Sequence, residues 1–169
     1  MADASAVEAR VRSQLEELGI THTVIPCDPA LADTAAFCAH YGYPLDDSAN
    51  TIVVAARKEP STSCACVALA TTRLDVNHTV CDLLGVRKAS FASPDLTAEL
   101  TGMLIGGVTP FCLPASLPLF IDAAVLERDS VIVGGGSRSI KVQLPPRELT
   151  RLPGATVVPG LAVPAPAPA

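Results

Sequence analysis

Two glycine-rich stretches hold the residues best suited to chemistry. The first reads Thr101-Gly-Met-Leu-Ile-Gly106-Gly107-Val108-Thr109-Pro110-Phe111, and the second Val131-Ile-Val-Gly134-Gly135-Gly136-Ser137. Paired glycines let backbone come close to a ligand, and their free amides can be aimed at an oxyanion or a ribose oxygen. Proline locks the far end of the first loop. Taken alone, each stretch also reads as a turn between strands, since glycine punctuates loops everywhere.

Other chemistries find less footing. Gly102-x-x-x-Gly106 is not followed by Gly-Lys-Ser/Thr, and Gly134-Gly135-Gly136 does not open a long helical pattern, so neither a P-loop nor a dinucleotide fingerprint fits. There is no C-x-x-C pair, and His22, His40 and His78 are scattered, which argues against a metal site. Cys27, Cys38, Cys64, Cys66, Cys81 and Cys112 lack the spacing of a small secreted scaffold. Reduced thiols and a cytoplasmic location are the expectation, with no signal peptide and no membrane segment read from the chain. Cys64 and Cys66 alternate on one strand face, as core packing would. Cys112, two residues past Pro110, stands near the suspected pocket without a histidine placed in sequence to activate it.

The chain carries a formal charge of −5, so as a whole it should repel a polyanion. A wide nucleic-acid footprint is not expected on that ground. The local basic pairs Arg57-Lys58, Arg87-Lys88, Arg138 with Lys141, and Arg147 with Arg151 would suffice to hold only the end of a nucleic acid.

The elements that must position these residues can be read in order. Val7, Val11, Leu15 and Leu18 recur at helical spacing, giving a helix over 4–18 that ends at Gly19. A short strand over 21–26 precedes a helix capped by Asp33 and running to Tyr41. Thr51–Ala56 and Cys64–Leu69 read as a hairpin around Lys58-Glu59-Pro60-Ser61. Asp75 caps a helix to Leu84, followed by a strand over 87–91 and a helix from Ser93-Pro94 to Leu100. Strands at 119–122, 131–133 and 139–144, a helix from Pro145 or Pro146 to Leu152, and a strand near 156–158 complete the list. Without strict β-α-β alternation the pattern predicts an α+β fold. It is a single domain over 1–160, with a curved mixed sheet, barrel-like, flanked by helices. The run from Leu161 to Ala169 alternates Pro and Ala and is expected to be a flexible, dispensable tail.

Five segments in register give the chain a likeness. Asn50-Thr51-Ile-Val-Val-Ala, Leu74-Asp75 with Leu84-Gly85, Gly106-x-x-x-Pro110, Leu119-Phe-Ile-Asp122 and Gly134-Gly135-Gly136 stand in the order of the YbaK/ProX family of aminoacyl-tRNA deacylases. That family comprises free-standing relatives of the editing domain inserted in bacterial prolyl-tRNA synthetases, and the resemblance runs from about Ala6 to Pro159. It implies a trans-acting deacylase, an ester hydrolase guarding translation fidelity, that acts on a mischarged small amino acid on tRNA without a cofactor. The implied partners are the acceptor end of an aminoacyl-tRNA and, as a further candidate, an aminoacyl-tRNA synthetase. By the same resemblance Gly106 and Gly107 lend catalytic backbone groups, Val108, Thr109 and Pro110 line the pocket, and Thr51, Gly134, Gly135 and Ser137 hold the terminal adenosine and ribose.

The chain departs from the family at three positions. The family's lysine immediately before the strand threonine is here Asn50, which keeps a donor and an acceptor but loses the ammonium and its reach. Gly134 stands where many relatives carry serine, and Lys141 where they often carry an acid. Asn50 is then expected either to orient water or the ester carbonyl, or to be assisted by Lys58 or Lys141 as a substitute cation. The alternative is a non-catalytic member of the fold that binds an aminoacyl-tRNA end, a nucleotide-like ligand or a protein.

Overall fold

A computed structural model describes residues 3–165. Helix α1 (Ala4–Glu17) buries Val7, Val11 and Leu15, the three apolar positions its spacing lines up. Asp3 caps its start by accepting from the Ser5 amide at 3.0 Å. β1 (Thr23–Pro26) and α2 (Thr34–Tyr41) follow, and Gly42 ends α2 in the left-handed region. β2 (Ala49–Ala56) and β3 (Ser63–Leu69) form the expected antiparallel hairpin. After β4 (Thr72–Leu74) comes a wide π-type turn over Val76–Val80 that runs into α3 (Cys81–Leu84). The expected single helix from Asp75 is therefore broken in character. The Asp75 carboxylate reaches the amide and hydroxyl of Thr79, four residues on, and this widens the first turn.

The rest of the chain supplies β5 (Ala89–Phe91), α4 (Pro94–Thr101), β6 (Leu119–Asp122), β7 (Val131–Gly134), β8 (Ile140–Leu144), β9 (Ala155–Val158) and β10 (Ala162–Pro164). The segment expected to be a helix before Leu152 is a 3-10 stretch over Pro146–Arg151. Five strands make one sheet in the order β5-β2-β3-β6-β9, with β3, β6 and β9 parallel and the other pairs antiparallel. A second sheet, β1-β8-β7, is antiparallel throughout. The backbones of the two are paired by one isolated parallel bridge between Ser48 and Ile132, and their inner faces share a core. Among the described residues they do not close on each other, so the α+β class holds while the barrel-like core is replaced by two sheets in contact.

β3 lies in the middle of the large sheet, and all its residues are buried. Its alternation splits the core in two. Ala65, Val67 and Leu69 face α1 and the small sheet, together with Phe111, Val133 and Val142. Cys64, Cys66 and Ala68 face α3, β4 and β10, with Val80 and Leu161. The two cysteines are core packing, as their spacing suggests, with Sγ atoms 3.7 Å apart. Hydrogen bonding to Cys64 and burial push the Cys66 thiol far up, so it stays protonated.

The tail requires a correction. Leu161 is fully buried, and Ala162–Pro164 pair antiparallel with Thr72–Leu74. The Ala162 amide also donates to Asp122 Oδ1 at 3.4 Å. One buried leucine and a short ladder thus hold a stretch whose Pro/Ala composition alone predicts no order. The remaining tail residues, 166–169, lie outside the described residues. No helix among the described residues is long and apolar enough to cross a membrane.

Candidate functional site

A cleft of about 380 Å³ opens between the start of β2, the N-terminus of α2, the first glycine loop and the β7–β8 hairpin. Each wall follows from local sequence. β2 begins at Ala49 and pairs with β3 from its first residue, but β5 covers its other edge only from Val54 on, and Asn50 and Thr51 line the opening beside that uncovered stretch. Asp33 and Thr34 arrive because α2 starts there. Its first amides bring the positive end of the helix dipole to the rim, and the Asp33 side chain makes no capping bond to them.

β2 carries Asn50 in place of the family's lysine, and the lysine that lines the cleft stands on β8. Lys141 pairs with Ile25 on one side and Gly134 on the other, in the central strand of the small sheet, and is only 8% exposed. Its ammonium donates to the Ala32 carbonyl at 2.6 Å and lies 5.3 Å from the centre of the Phe37 ring. No carboxylate among the described residues pairs with it. Burial lowers its pKa from the ordinary lysine value, while Cys27, Cys38 and Asp33 nearby oppose that shift. An ammonium held by one carbonyl and a ring still has donor capacity for an anion, since lysine carries three N–H groups. Of the two substitute cations considered from sequence, Lys141 lines the cleft; Lys58 lines a separate groove at the other end of β2.

Asn50 is half-buried, and its Oδ1 accepts from the Thr34 hydroxyl at 2.7 Å, which leaves the NH2 group as a donor toward the cleft. Thr51 is buried, and its hydroxyl has no partner among the described residues. A buried hydroxyl without a partner carries a desolvation cost that a ligand oxygen would relieve. Arg138 lies behind the lining residues Asp33 and Ile105. Its Nε donates to the Pro29 carbonyl at 3.0 Å and its guanidinium lies 3.5 Å from Asp33. It also reaches the Ile105 carbonyl, so one side chain joins the α2 approach to the glycine loop.

The glycines divide by role. Gly106, Val108 and Gly134 line the cleft; Gly107, Thr109, Pro110, Gly135 and Ser137 do not. A Cβ at Gly107 would come 2.7 Å from the Ser137 backbone, and one at Gly134 would come 2.1 Å from the Val108 carbonyl oxygen. The paired glycines are there so that the two loops can press together, an approach sealed by the Gly136 amide donating to the Gly107 carbonyl at 2.9 Å. Ser137 donates to Glu8 and accepts from the Ser139 amide, which fixes the hairpin to α1. Thr109 and Pro110 are buried beneath the loop, where the Thr109 hydroxyl accepts weakly from the Phe111 amide at 3.5 Å. Cys112 lies outside the cleft too, packed against the main core, with its amide bonded to Gln14 and its thiol pKa raised by burial.

Thr34, Phe37, Ser48 and Phe91 also line the cleft, and no reading of spacing picked them out. One signal was available: Asp33 marks a helix start, and helix starts favour anions. Among the described residues no three His, Cys, Asp or Glu side chains cluster as metal ligands would.

Known proteins share the family and the fold. A family model of the aminoacyl-tRNA editing domain matches residues 28–152. The uncharacterized protein YwhH of Bacillus subtilis (strain 168) is 36% identical over 63 residues, 37% of this chain. That match spans only 40% of the length of YwhH. The crystal structure of a proposed trans-editing enzyme for prolyl-tRNA synthetase superposes with a TM-score of 0.76 at 25% identity, covering 90% of this chain and 95% of that one. The hypothetical protein APE2540 superposes with a TM-score of 0.81 at 27% identity, covering 91% and 99% respectively.

Proposed function

Since the chain belongs to the aminoacyl-tRNA editing domain family, we propose that it is a trans-acting deacylase, hydrolysing the ester between a mischarged small amino acid and the terminal ribose of tRNA. The observation that carries this reading is the meeting of Lys141, the Asn50 amide and the Gly106 backbone at one small cleft. Ester hydrolysis needs a positioned water, donors on the carbonyl oxygen as it becomes negative, and a pocket of limited size. Lys141 and the Asn50 NH2 are the donors in this reading. They stabilise the developing oxyanion or hold the adjoining phosphate, with the α2 N-terminus adding to the same field. Water adds to the ester carbon, the tetrahedral intermediate collapses, and the ribose oxygen leaves with a proton, giving free amino acid and uncharged tRNA. Phe37, Ile52, Val53 and Ile132 make the wall that limits the side chain admitted. Thr51 and Gly134 face the ribose.

The neighbouring trans-editing enzyme supports tRNA as substrate, and by the same relation an aminoacyl-tRNA synthetase is a candidate partner. The test is a panel of tRNAs each charged with the wrong small amino acid. Release of amino acid from at least one member, and its loss in Lys141→Met, is the expected result. Tight binding across the panel with no release in wild type would overturn hydrolysis and leave a non-catalytic aminoacyl-tRNA binder.

A further inference from the structure

We infer that a cationic groove at the far end of β2 and β5 binds the phosphate backbone of the RNA strand whose 3′ end occupies the cleft. This inference rests on the editing function proposed above. Two basic pairs far apart in the chain meet here. β2 and β5 are antiparallel, and the Arg57 amide donates to the Lys88 carbonyl at 3.0 Å, so Arg57-Lys58 and Arg87-Lys88 lie side by side. They line a groove of about 670 Å³ in which Glu59 is the acidic member.

Nothing in the fold accounts for this concentration of charge. All four basic side chains are exposed, and none makes an ion pair or side-chain hydrogen bond among the described residues. Like charges opposite each other across a ladder are destabilising, and Arg57 stands opposite Lys88. The chain as a whole carries −5, so a third of its twelve Lys and Arg residues gathered at one groove is a local reversal of sign. A polyanion repelled elsewhere would be drawn to this face.

The strand joining groove and cleft fixes the kind of polyanion. Phe91, at the cleft end of β5, is 58% exposed, the most exposed of the large apolar side chains among the described residues. It lines the cleft, while Lys88, three residues earlier, lines the groove. Three residues of strand span about 10 Å, which is about three nucleotides at the ~3.4 Å rise of a stacked strand. An open aromatic ring followed by exposed cations is the arrangement that takes single-stranded nucleic acid, bases on the ring and phosphates on the cations. A tRNA entering with its esterified end in the cleft would lay a base on Phe91 and its next phosphates along Lys88, Arg87, Arg57 and Lys58.

The experiment compares wild type with Arg57→Glu/Lys88→Glu, and with Arg12→Glu on the outer face of α1 as a charge control. Uncharged tRNA is titrated at several salt concentrations. In the double variant affinity should fall at least tenfold, and the slope of log affinity against log salt should shrink by about 0.7 for each phosphate contact removed. Arg12→Glu should change neither. Aminoacyl-adenosine, too short to reach the groove, reports the cleft alone. Against it the double variant should keep its turnover, while KM for aminoacyl-tRNA rises. Equal tRNA affinity and slope in wild type and the double variant would overturn the groove, as would wild type failing to bind tRNA below about 100 µM at low salt. Loss of binding to an acidic peptide rather than to tRNA would assign the groove to a protein instead. A wild type that hydrolyses no ester yet loses tRNA in the double variant would reject the deacylase and keep the groove.

Discussion

The two ends of β2 handle charge in opposite ways. At its start, Lys141 is buried, held to the Ala32 carbonyl and set against a ring, and Asn50 is tied to Thr34. At its finish, Arg57 and Lys58 stand in solvent with no partner among the described residues. A buried charge is costly to keep but acts at short range in a medium that screens it little, whereas an exposed one is cheap, mobile and weakened by salt. The first suits a group that must stabilise a particular atom. The second suits attraction and holding.

The largest expected effect lies at the buried end. Lys141→Met should lower kcat/KM on the mischarged substrate by about 10²–10³-fold, the usual result of removing an oxyanion donor. Its melting temperature at neutral pH should change by only a few degrees, because relief from burying a cation without a carboxylate offsets loss of the bond to the Ala32 carbonyl. A large drop in stability would mean that Lys141 is structural, and the contrast between the ends would fail. The pH dependence follows from the lowered pKa. Below it the ammonium is charged and hydrolysis proceeds; above it the donor weakens, so activity should fade before pH 10.5, the ordinary lysine value. Stability runs the other way. Between the lowered pKa and 10.5 the unfolded chain binds the extra proton, so stability should rise with pH across that window.

A transplant of the cation sharpens the point. Asn50→Lys alone puts a second ammonium beside Lys141 and should reduce activity, since like charges in one site oppose each other. In the Lys141→Met background the same change should recover about tenfold of the loss. Rate factors of the two single variants that simply multiply in the double variant would show that the positions do not share a ligand.

Next in size is the scaffold under the exposed end. Leu161 packs in the cluster with Val54 and Val80, on the sheet face away from α1. Ending the chain at Gly160 should cost about 2–5 kcal/mol, as for loss of a buried leucine, or roughly 5–15 °C in Tm. Calorimetry showing no change would restore the view of a dispensable tail. The smallest effect belongs to Thr51→Val. It removes a buried hydroxyl without a partner and should raise Tm by about 2–4 °C. If that hydroxyl meets the ribose, KM rises several-fold at unchanged kcat.

What sequence could say divides along similar lines. α1 was legible because Val7, Val11 and Leu15 repeat at helical spacing, and the β2–β3 hairpin because its two runs flank a turn rich in breakers. These are properties of neighbours in the chain. The mixed order of strands and helices gave the α+β class, and the motif order gave the likeness to editing domains, along with Asn50, Thr51, Gly106, Val108 and Gly134, which line the cleft. It did not separate glycines that face a ligand from glycines that face each other. Gly106 and Gly107 are adjacent, yet only the backbone path beside Ser137 gives them different tasks. Leu161 was hidden by its company, since composition says nothing of one residue finding a hole 81 positions from Val80. The groove was present in sequence as two unrelated basic pairs, and only the register of β2 on β5 joins them.

The single bridge between Ser48 and Ile132 has a mechanical consequence. Asn50 belongs to one sheet and Lys141 to the other, so a molecule gripped by both spans the seam like a rivet. Slippage along that seam should be damped when the cleft is filled. Amide hydrogen exchange at the edges of both sheets would then slow together on occupation of a pocket that touches only the ends of their strands.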